Sequence, residues 1–311
     1  MESNPLVSVI ICFLNEERFL EEAINSVLQQ DYPYWELLLI DDGSHDKSSR
    51  IALEFSEMSN HRIVYCQHKG HINKGLSASR NLGIQKANGS LIAFLDADDV
   101  WLPGKLSNQV AIFLQHPKTA MIAEASNYWY NWNDVSGKNV IIKVGASQDV
   151  AHNPPALLYQ LYPLGKGSAP CPSSLIIKKE AIERTGYFEG CFVNEFAMYE
   201  DQAFLGKMYL NEHIYISSAC NNLYRQRDES IVRSVKSAGL HLKARRYYLE
   251  WFEGYLHEHN IKDARIKSLM NKALFPYRWS MLYYLSFIVP RKIWRRVKKI
   301  LSFIHLPVRC M

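Results

Sequence analysis

Four strand-length apolar runs, each cut off by polar or acidic residues and each followed by a helix-period segment, constrain this chain more than any other feature. Residues 6–13 (LVSVIICF), 35–40 (WELLLI), 63–66 (IVYC) and 91–95 (LIAFL) are too short for buried helices and rich in β-branched and large apolar side chains, so they read as buried strands. Between them, residues 18–30, 48–58 and 76–86 repeat apolar positions at helical spacing; the first carries Phe19, Leu20, Ala23, Ile24, Val27 and Leu28. Strand alternating with helix predicts a parallel, doubly wound sheet covered by helices. Three of the strands end in Asn15-Glu16-Glu17, Asp41-Asp42-Gly43-Ser44 and Asp96-Ala97-Asp98-Asp99. The carboxyl edge of such a sheet is where ligands bind, so these acids point to a site.

Asp96 and Asp98 are two residues apart, which in extended chain puts both carboxylates on one side, able to share a hard divalent cation and the phosphates it carries. A second reading has Asp98 or Asp99 capping a helix that starts around Trp101-Leu102-Pro103. No Gly-x-Gly-x-x-Gly follows the first strand and no Walker A loop is present, which excludes dinucleotide-type hydride transfer and P-loop ATP hydrolysis. Further along, residues 121–129, 140–144, 174–177 and 213–217 read as strands, 154–162 as a short helix, and Glu200-Asp201 opens a helix to Leu210. The Gly- and Pro-rich loop 164–172 is expected to border a pocket. His45, His68 and His71 lack metal-ligand spacing and read as loop residues.

The charge is divided along the chain. Net charge is +5, yet residues 261–311 hold twelve Lys and Arg against the single acid Asp263, leaving −6 for the first 260. Residues 291–304 place Ile293, Trp294, Val297, Ile300, Leu301 and Ile304 on one helical stripe, with Arg291, Lys292, Arg295, Arg296, Lys298 and Lys299 elsewhere. That pattern predicts a helix lying on an anionic membrane surface, against the plainer reading of a helix packed on the catalytic domain with a solvated basic face. Nucleic acid is not expected as a partner, since acids dominate the body and no reading motif occurs. Six cysteines without paired metal spacing fit a reduced intracellular protein, and the absence of a basic n-region predicts no signal peptide. The run 281–289 is too short to cross a bilayer. A cytoplasmic enzyme, peripheral on the inner face of the cell membrane, is the resulting expectation.

Five motifs in order resemble the family 2 glycosyltransferases. They are the first strand ending in Asn15, Asp41-Asp42-Gly43-Ser44, the segment Gly75-Leu76-Ser77-Ala78-Ser79-Arg80-Asn81-Leu82-Gly83, Asp96-x-Asp98-Asp99 with Trp101, Pro103, Lys105 and Leu106, and Glu200-Asp201. The resemblance spans about residues 5–230 and implies the GT-A fold: a Rossmann-like, mostly parallel sheet flanked by helices, here with a basic helical C-terminal extension. It implies a catalytic domain over 1–230, its nucleotide-sugar half about 1–105 and its acceptor half about 106–230, followed by the helical region 231–311.

The same resemblance implies roles. Asp42 would bind uracil, with Glu16 lining the base pocket; Asp96 would meet the ribose or the cation, and Asp98 would ligate Mg2+ or Mn2+ on the diphosphate. Arg80, Lys74 and Arg227 would add positive charge near that diphosphate, Arg225 and Arg227 belonging to a segment that folds over it. Asp201 would be the general base, with Glu200 its neighbouring candidate. Each has a plainer reading: turn carboxylate for Asp42, helix-terminal acid for Glu16 and Asp201, surface ion pair for Arg80 and Lys74. Leu14 replaces an aromatic common in relatives, and no Gln-x-x-Arg-Trp motif of processive synthases occurs. The expected function is an inverting, metal-dependent, non-processive transfer of a hexose from a nucleotide diphosphate sugar, UDP-linked by preference, to a lipid-linked, polysaccharide or lipopolysaccharide acceptor. The rivals are a nucleotidyltransferase, although Cys12 to Arg18 lacks its Gly- and Arg/Lys-bearing loop, and a noncatalytic sugar-binding module of the same shape.

Overall fold

In a computed structural model the described residues are 4–59, 61–133, 137–290 and Trp294. The chain divides into two compact units, Met1–Tyr248 and Leu249–Met311. In chain order the first half runs β1 (Val7–Phe13), α1 (Leu20–Leu28), β2 (Trp35–Asp41), α2 (Ser48–Met58), β3 (Ile63–Gln67), α3 (Leu76–Lys86), β4 (Leu91–Phe94), β5 (Val100–Trp101) and α4 (Lys105–Gln115). There follow β6 (Met121–Glu124), β7 (Ser126–Trp129), β8 (Val140–Ile142), β9 (Val150–His152), α5 (Ala156–Gln160), β10 (Leu175–Lys178), α6 (Lys179–Thr185), α7 (Glu200–Asn211), β11 (Ile214–Ser217), β12 (Asn222–Arg225) and α8 (Ile231–Ser237). The helices α9 (His241–Glu258), α10 (Ala264–Arg278) and α11 (Ser280–Tyr283) complete the described chain, with a π-helical turn at Tyr284–Ile288.

The main sheet has eight strands in the order β3-β2-β1-β4-β10-β6-β11-β9. The first four are parallel, as the alternation requires, and their inward side chains (Val9, Ile11, Leu37, Leu39, Leu91, Ala93) are fully buried against Leu20, Ile24 and Val27 of α1. Helix α3 lies close enough to β1 that a Cβ at Gly83 would come within 2.6 Å of Ile10. The glycine ending the Gly75–Gly83 motif therefore has a packing reason.

The mostly parallel expectation holds, with two corrections. β10 enters the middle of the sheet antiparallel, between β4 and β6, so the fold is not purely doubly wound. The single strand expected over 121–129 is two: at Ala125, whose N–H donates to the Ala219 carbonyl at 3.0 Å, the chain leaves the main sheet and joins a second, four-stranded sheet of order β5-β12-β7-β8. In that small sheet β12 pairs with β5 and β7, bringing Arg225 beside the acids that follow β4. Glu124 of β6, paired with buried Lys105 of α4 (3.1 Å), accepts from the Asn222 side-chain amide of β12 at 3.2 Å, and the Trp101 indole N–H of β5 donates to the Ser173 carbonyl at 2.8 Å; these contacts tie the two sheets together.

Residues 231–290 are helical among those described. Asp263 caps α10, accepting from the Ile266 N–H at 2.8 Å. The amphipathic basic helix expected over 291–304 lies outside the described residues except for Trp294. No helix among the described residues is long and apolar enough to cross a membrane.

Candidate active site

The carboxyl ends of β1, β2 and β4, the start of α3, the start of α7 and the exit of β12 converge on one cavity of about 620 Å³. Glu16, Asp42, Lys74, Arg80, Asp96, Asp98, Asp201 and Arg227 all line it, so the residues singled out from sequence come together.

The β2 end explains why two adjacent aspartates differ. Asp41 is fully buried; it accepts from the N–H groups of Gly43 (3.1 Å) and Ser44 (2.8 Å) and from Ser49, Tyr65 and His71. Burial raises its carboxyl, but these donors overcome it and hold the group below its ordinary range. Asp42 faces the cavity. It accepts from the backbone N–H of Lys74 (2.8 Å) and of Gly75 (3.0 Å), fixing the loop that starts α3, while the His68 ring nitrogen stands 3.6 Å away. Gly43 makes this possible: it has φ of +86°, and a Cβ there would strike Asn73 at 2.8 Å.

The acids after β4 depart from expectation. Residues 96–99 are a tight turn closed by the Asp99 N–H donating to the Asp96 carbonyl at 3.0 Å, not extended chain. Neither Asp98 nor Asp99 caps a helix, since α4 starts at Lys105 after Gly104. Asp99 is wholly buried, accepting from Ser173 Oγ (2.6 Å) and the Arg225 N–H (2.9 Å); burial and the neighbouring charges of Asp98 and Asp96 push its carboxyl well up. Asp96 and Asp98 alone reach the cavity. Burial raises Asp98, with Arg227 opposing and Asp96 adding to the rise.

Two arginines hold these acids. Arg80, on the buried face of α3, pairs with Asp96 at 2.8 Å through Nη2 and with Glu200 through Nη1. Burial disfavours its charge, yet the two carboxylates more than restore it. Arg227 pairs with Asp98 at 2.6 Å and forks onto both oxygens of Glu16, one at 2.9 Å; burial still leaves Glu16 raised. Arg225 donates to the Asp98 carbonyl at 2.6 Å and to Glu22 of α1 at 2.5 Å, its guanidinium 4.4 Å from the Trp129 ring centre.

The start of α7 separates its two acids. Glu200 is buried and bound to Arg80; burial pushes its carboxyl up to about 7 against that arginine's pull. Among the described residues Asp201 pairs with no arginine: its hydrogen bonds come from the Gln202 N–H (2.7 Å) and side-chain amide (3.2 Å). Burial raises it above its ordinary value, with Arg80 the chief opposing influence. A cavity-lining carboxylate whose pKa lies above the ordinary value is a stronger proton acceptor than an ordinary one.

Among the described residues no cluster of three or more His, Cys, Asp or Glu is arranged to hold an ion. Two hard carboxylates on one turn, one raising the other, still fit a Mg2+- or Mn2+-type ion that takes its remaining ligands from substrate phosphates and water.

Sequence reading missed the apolar wall of the cavity: Phe192, Val193, Ala197 and Met198 on one side, Ile231 and Val232 on the other. Nothing in their spacing marks them, because packing across more than thirty residues brings them together. Glu22 was equally hidden, as one polar position of an amphipathic helix.

The chain matches the profile of the family described as Glycosyl transferase family 2 over residues 8–186. It is 33% identical over 148 residues to the UDP-Glc:alpha-D-GlcNAc-diphosphoundecaprenol beta-1,3-glucosyltransferase WfgD of Escherichia coli, a match covering 48% of this chain and 54% of that protein. It spans about half the length of the curated relatives it matches. Among solved structures, S. aureus TarS (1-349) in complex with UDP-GlcNAc superposes with a TM-score of 0.64 at 19% identity, covering 91% of this chain and 76% of that one. A mannosyltransferase, PcManGT from Pyrobaculum calidifontis in complex with GDP-Man and Mn2+, superposes with a TM-score of 0.54 at 15% identity, covering 96% and 81%. A GT-A-like sheet with a cavity at its carboxyl edge and a family profile spanning more than half the residues lead to one conclusion: the chain belongs to glycosyl transferase family 2.

Proposed function

We propose that this chain is a glycosyltransferase that moves one hexose per encounter from a UDP-linked donor to a hydroxyl of a lipid-linked or surface-glycan acceptor, inverting the anomeric centre. The observation that carries the reading is the division of labour at the start of α7: Glu200 is tied to Arg80, whereas Asp201 lines the cavity and, among the described residues, is hydrogen-bonded by Gln202 alone. In this reading Asp201 takes the proton from the acceptor hydroxyl as that oxygen attacks the anomeric carbon opposite the departing diphosphate. A single displacement inverts the centre.

Asp42 at the β2 end and Glu16 at the β1 end serve the nucleoside side of the cavity. Arg80, Lys74 and Arg227 supply positive charge for the diphosphate, Arg227 by exchanging its carboxylate partners for phosphate oxygens. Asp98 and Asp96 would hold a Mn2+ or Mg2+ ion, which supplies charge neutralisation for the leaving nucleoside diphosphate. A relative whose name specifies a diphosphoundecaprenol acceptor and a structural neighbour bound to UDP-GlcNAc support the substrate classes. The positive C-terminal region supports a peripheral position on the cytoplasmic face of the membrane, beside such acceptors.

The test is release of UDP or another nucleoside diphosphate from a panel of sugar nucleotides with Mn2+, with the anomeric configuration of the product read by NMR. Slow donor hydrolysis by wild type and its loss in Asp201→Asn and Asp98→Asn are expected. Retention of the donor's configuration, or unimpaired transfer by Asp201→Asn, overturns the mechanism.

A further inference from the structure

The second unit contains a run that neither the catalytic chemistry nor the basic tail uses. Residues 279–289 (WSMLYYLSFIV) carry no charge, and after the bend at Trp279 they continue as α11 and a π-helical turn. Phe275 of α10 holds the bend through edge contacts with Tyr283 and Phe287, which stack on each other at 5.3 Å. The large side chains at 279, 281, 282, 284, 285 and 287 are each between 45% and 77% exposed.

Their distribution around the helix identifies the occupant. A helix turns by roughly 100° per residue, so 281, 282, 284, 285 and 287 spread over an arc of roughly 220°, about twice the width of one stripe, and leave only the side of Tyr283 and Ser286. A protein groove covers one stripe of a helix; an acyl layer in which a helix lies embedded covers more than half its girth. Eleven residues at about 1.5 Å each reach roughly 16 Å, half of a bilayer's hydrocarbon core of about 30 Å and too short to cross it. The run is bracketed by Arg278 before it and by Arg291 and Lys292 after it, within a stretch where twelve Lys and Arg face one acid. Trp279, Tyr283, Tyr284 and Trp294 supply the amphipathic rings favoured at the lipid–water boundary.

We propose that residues 279–289 lie embedded along the headgroup–acyl boundary of one leaflet of an anionic bilayer, the flanking cations resting on its headgroups. The inference rests on the membrane-peripheral reading above and adds the element that enters the lipid. It predicts a binding free energy with two separable parts, an apolar one insensitive to salt and a cationic one that salt weakens.

The experiment is flotation of the full-length chain with phosphatidylcholine vesicles, with and without about one-third phosphatidylglycerol, at low and high salt. Wild type is expected to float with the anionic vesicles. Leu282→Asp with Leu285→Asp should cut partitioning by about 100-fold or more at either salt, leaving donor hydrolysis unchanged. Gln replacement of Arg295, Arg296, Lys298 and Lys299 should remove the salt dependence and leave the apolar part. In wild type, brominated lipid should quench tryptophan fluorescence, and Trp279→Phe should remove most of that quenching, a readout that stands even if the Asp variants misfold.

Flotation that survives the Asp substitutions but not the Gln ones overturns embedding while the membrane reading stands. No flotation under any condition overturns both. A dimer in light scattering that the Asp variants dissociate, with flotation unchanged, overturns the inference in favour of a second copy as the occupant. Destabilisation by the Asp pair together with absent lipid quenching overturns it in favour of cover from the chain's own residues 291–311.

Discussion

Two arginines hold the acids of the cavity, and they do so differently. On the inner side Arg80, its side chain 3% exposed, joins α3 to the first turn of α7 and to the turn after β4. On the outer side Arg227, 19% exposed, joins the exit of β12 to Glu16 and Asp98. Removing one partner of a buried pair strands a charge, whereas a pair that keeps some exposure can exchange its partner for an anion from solution. Under the proposed function, the inner clasp would belong to the scaffold that aims Asp201, and the outer one to the surface that receives the donor.

The sharpest challenge to this contrast is chemical. Asp201→Asn should lower kcat by about 1,000-fold or more with donor affinity nearly unchanged, measured by steady-state kinetics and calorimetry with UDP. Next comes the inner clasp. Arg80→Met should destabilise the fold by about 3–5 kcal/mol in urea titrations, because Glu200 and Asp96 lose their shared counter-charge. An equally large loss from Arg227→Gln would erase the distinction.

Asp98→Asn should cost about 100-fold in kcat/KM and remove the dependence of turnover on Mn2+, with a melting temperature close to wild type. For the outer clasp, Arg227→Gln should raise the donor KM about tenfold and cost less stability than Arg80→Met, since Arg227 and its carboxylates keep some solvent exposure. The smallest effect is a slope. Glu200 has a folded-state value of about 7, above its ordinary 4.5 when unfolded, so the folded state binds more protons between those values. Its contribution to stability is present below about pH 4.5 and is lost as pH rises through about 7. Tm should accordingly fall more between pH 5 and pH 8 in wild type than in Glu200→Gln; equal slopes would place the titration elsewhere.

The same contrast marks how far the sequence could be read. β1 to β4 and α1 to α3 follow from local periodicity, and the acids at the strand ends follow from where those strands stop. The cavity-lining acids and Arg80 belong to motifs a few residues long, so their convergence was legible. What the sequence could not show is non-local. β10 runs antiparallel in mid-sheet because its partners are β4 and β6, more than fifty residues upstream. Residues 96–99 close into a turn because Ser173 and Arg225 hold Asp99 from afar, which local alternation does not register. The break at Ala125 has no Gly or Pro to announce it; the Ala219 carbonyl defines it.

The reversed strand has a consequence for how such an enzyme can be rebuilt. Ser173, just ahead of β10, donates its hydroxyl to Asp99 and accepts from the Asp96 N–H at 3.1 Å, so a residue from late in the chain sets the posture of the donor-side acids. A chimera that imports a foreign acceptor half from about residue 116 onward would also replace this keystone. Grafts that keep residues 172–178 native should preserve sugar-nucleotide affinity; those that exchange them should forfeit it even with every donor-half residue intact.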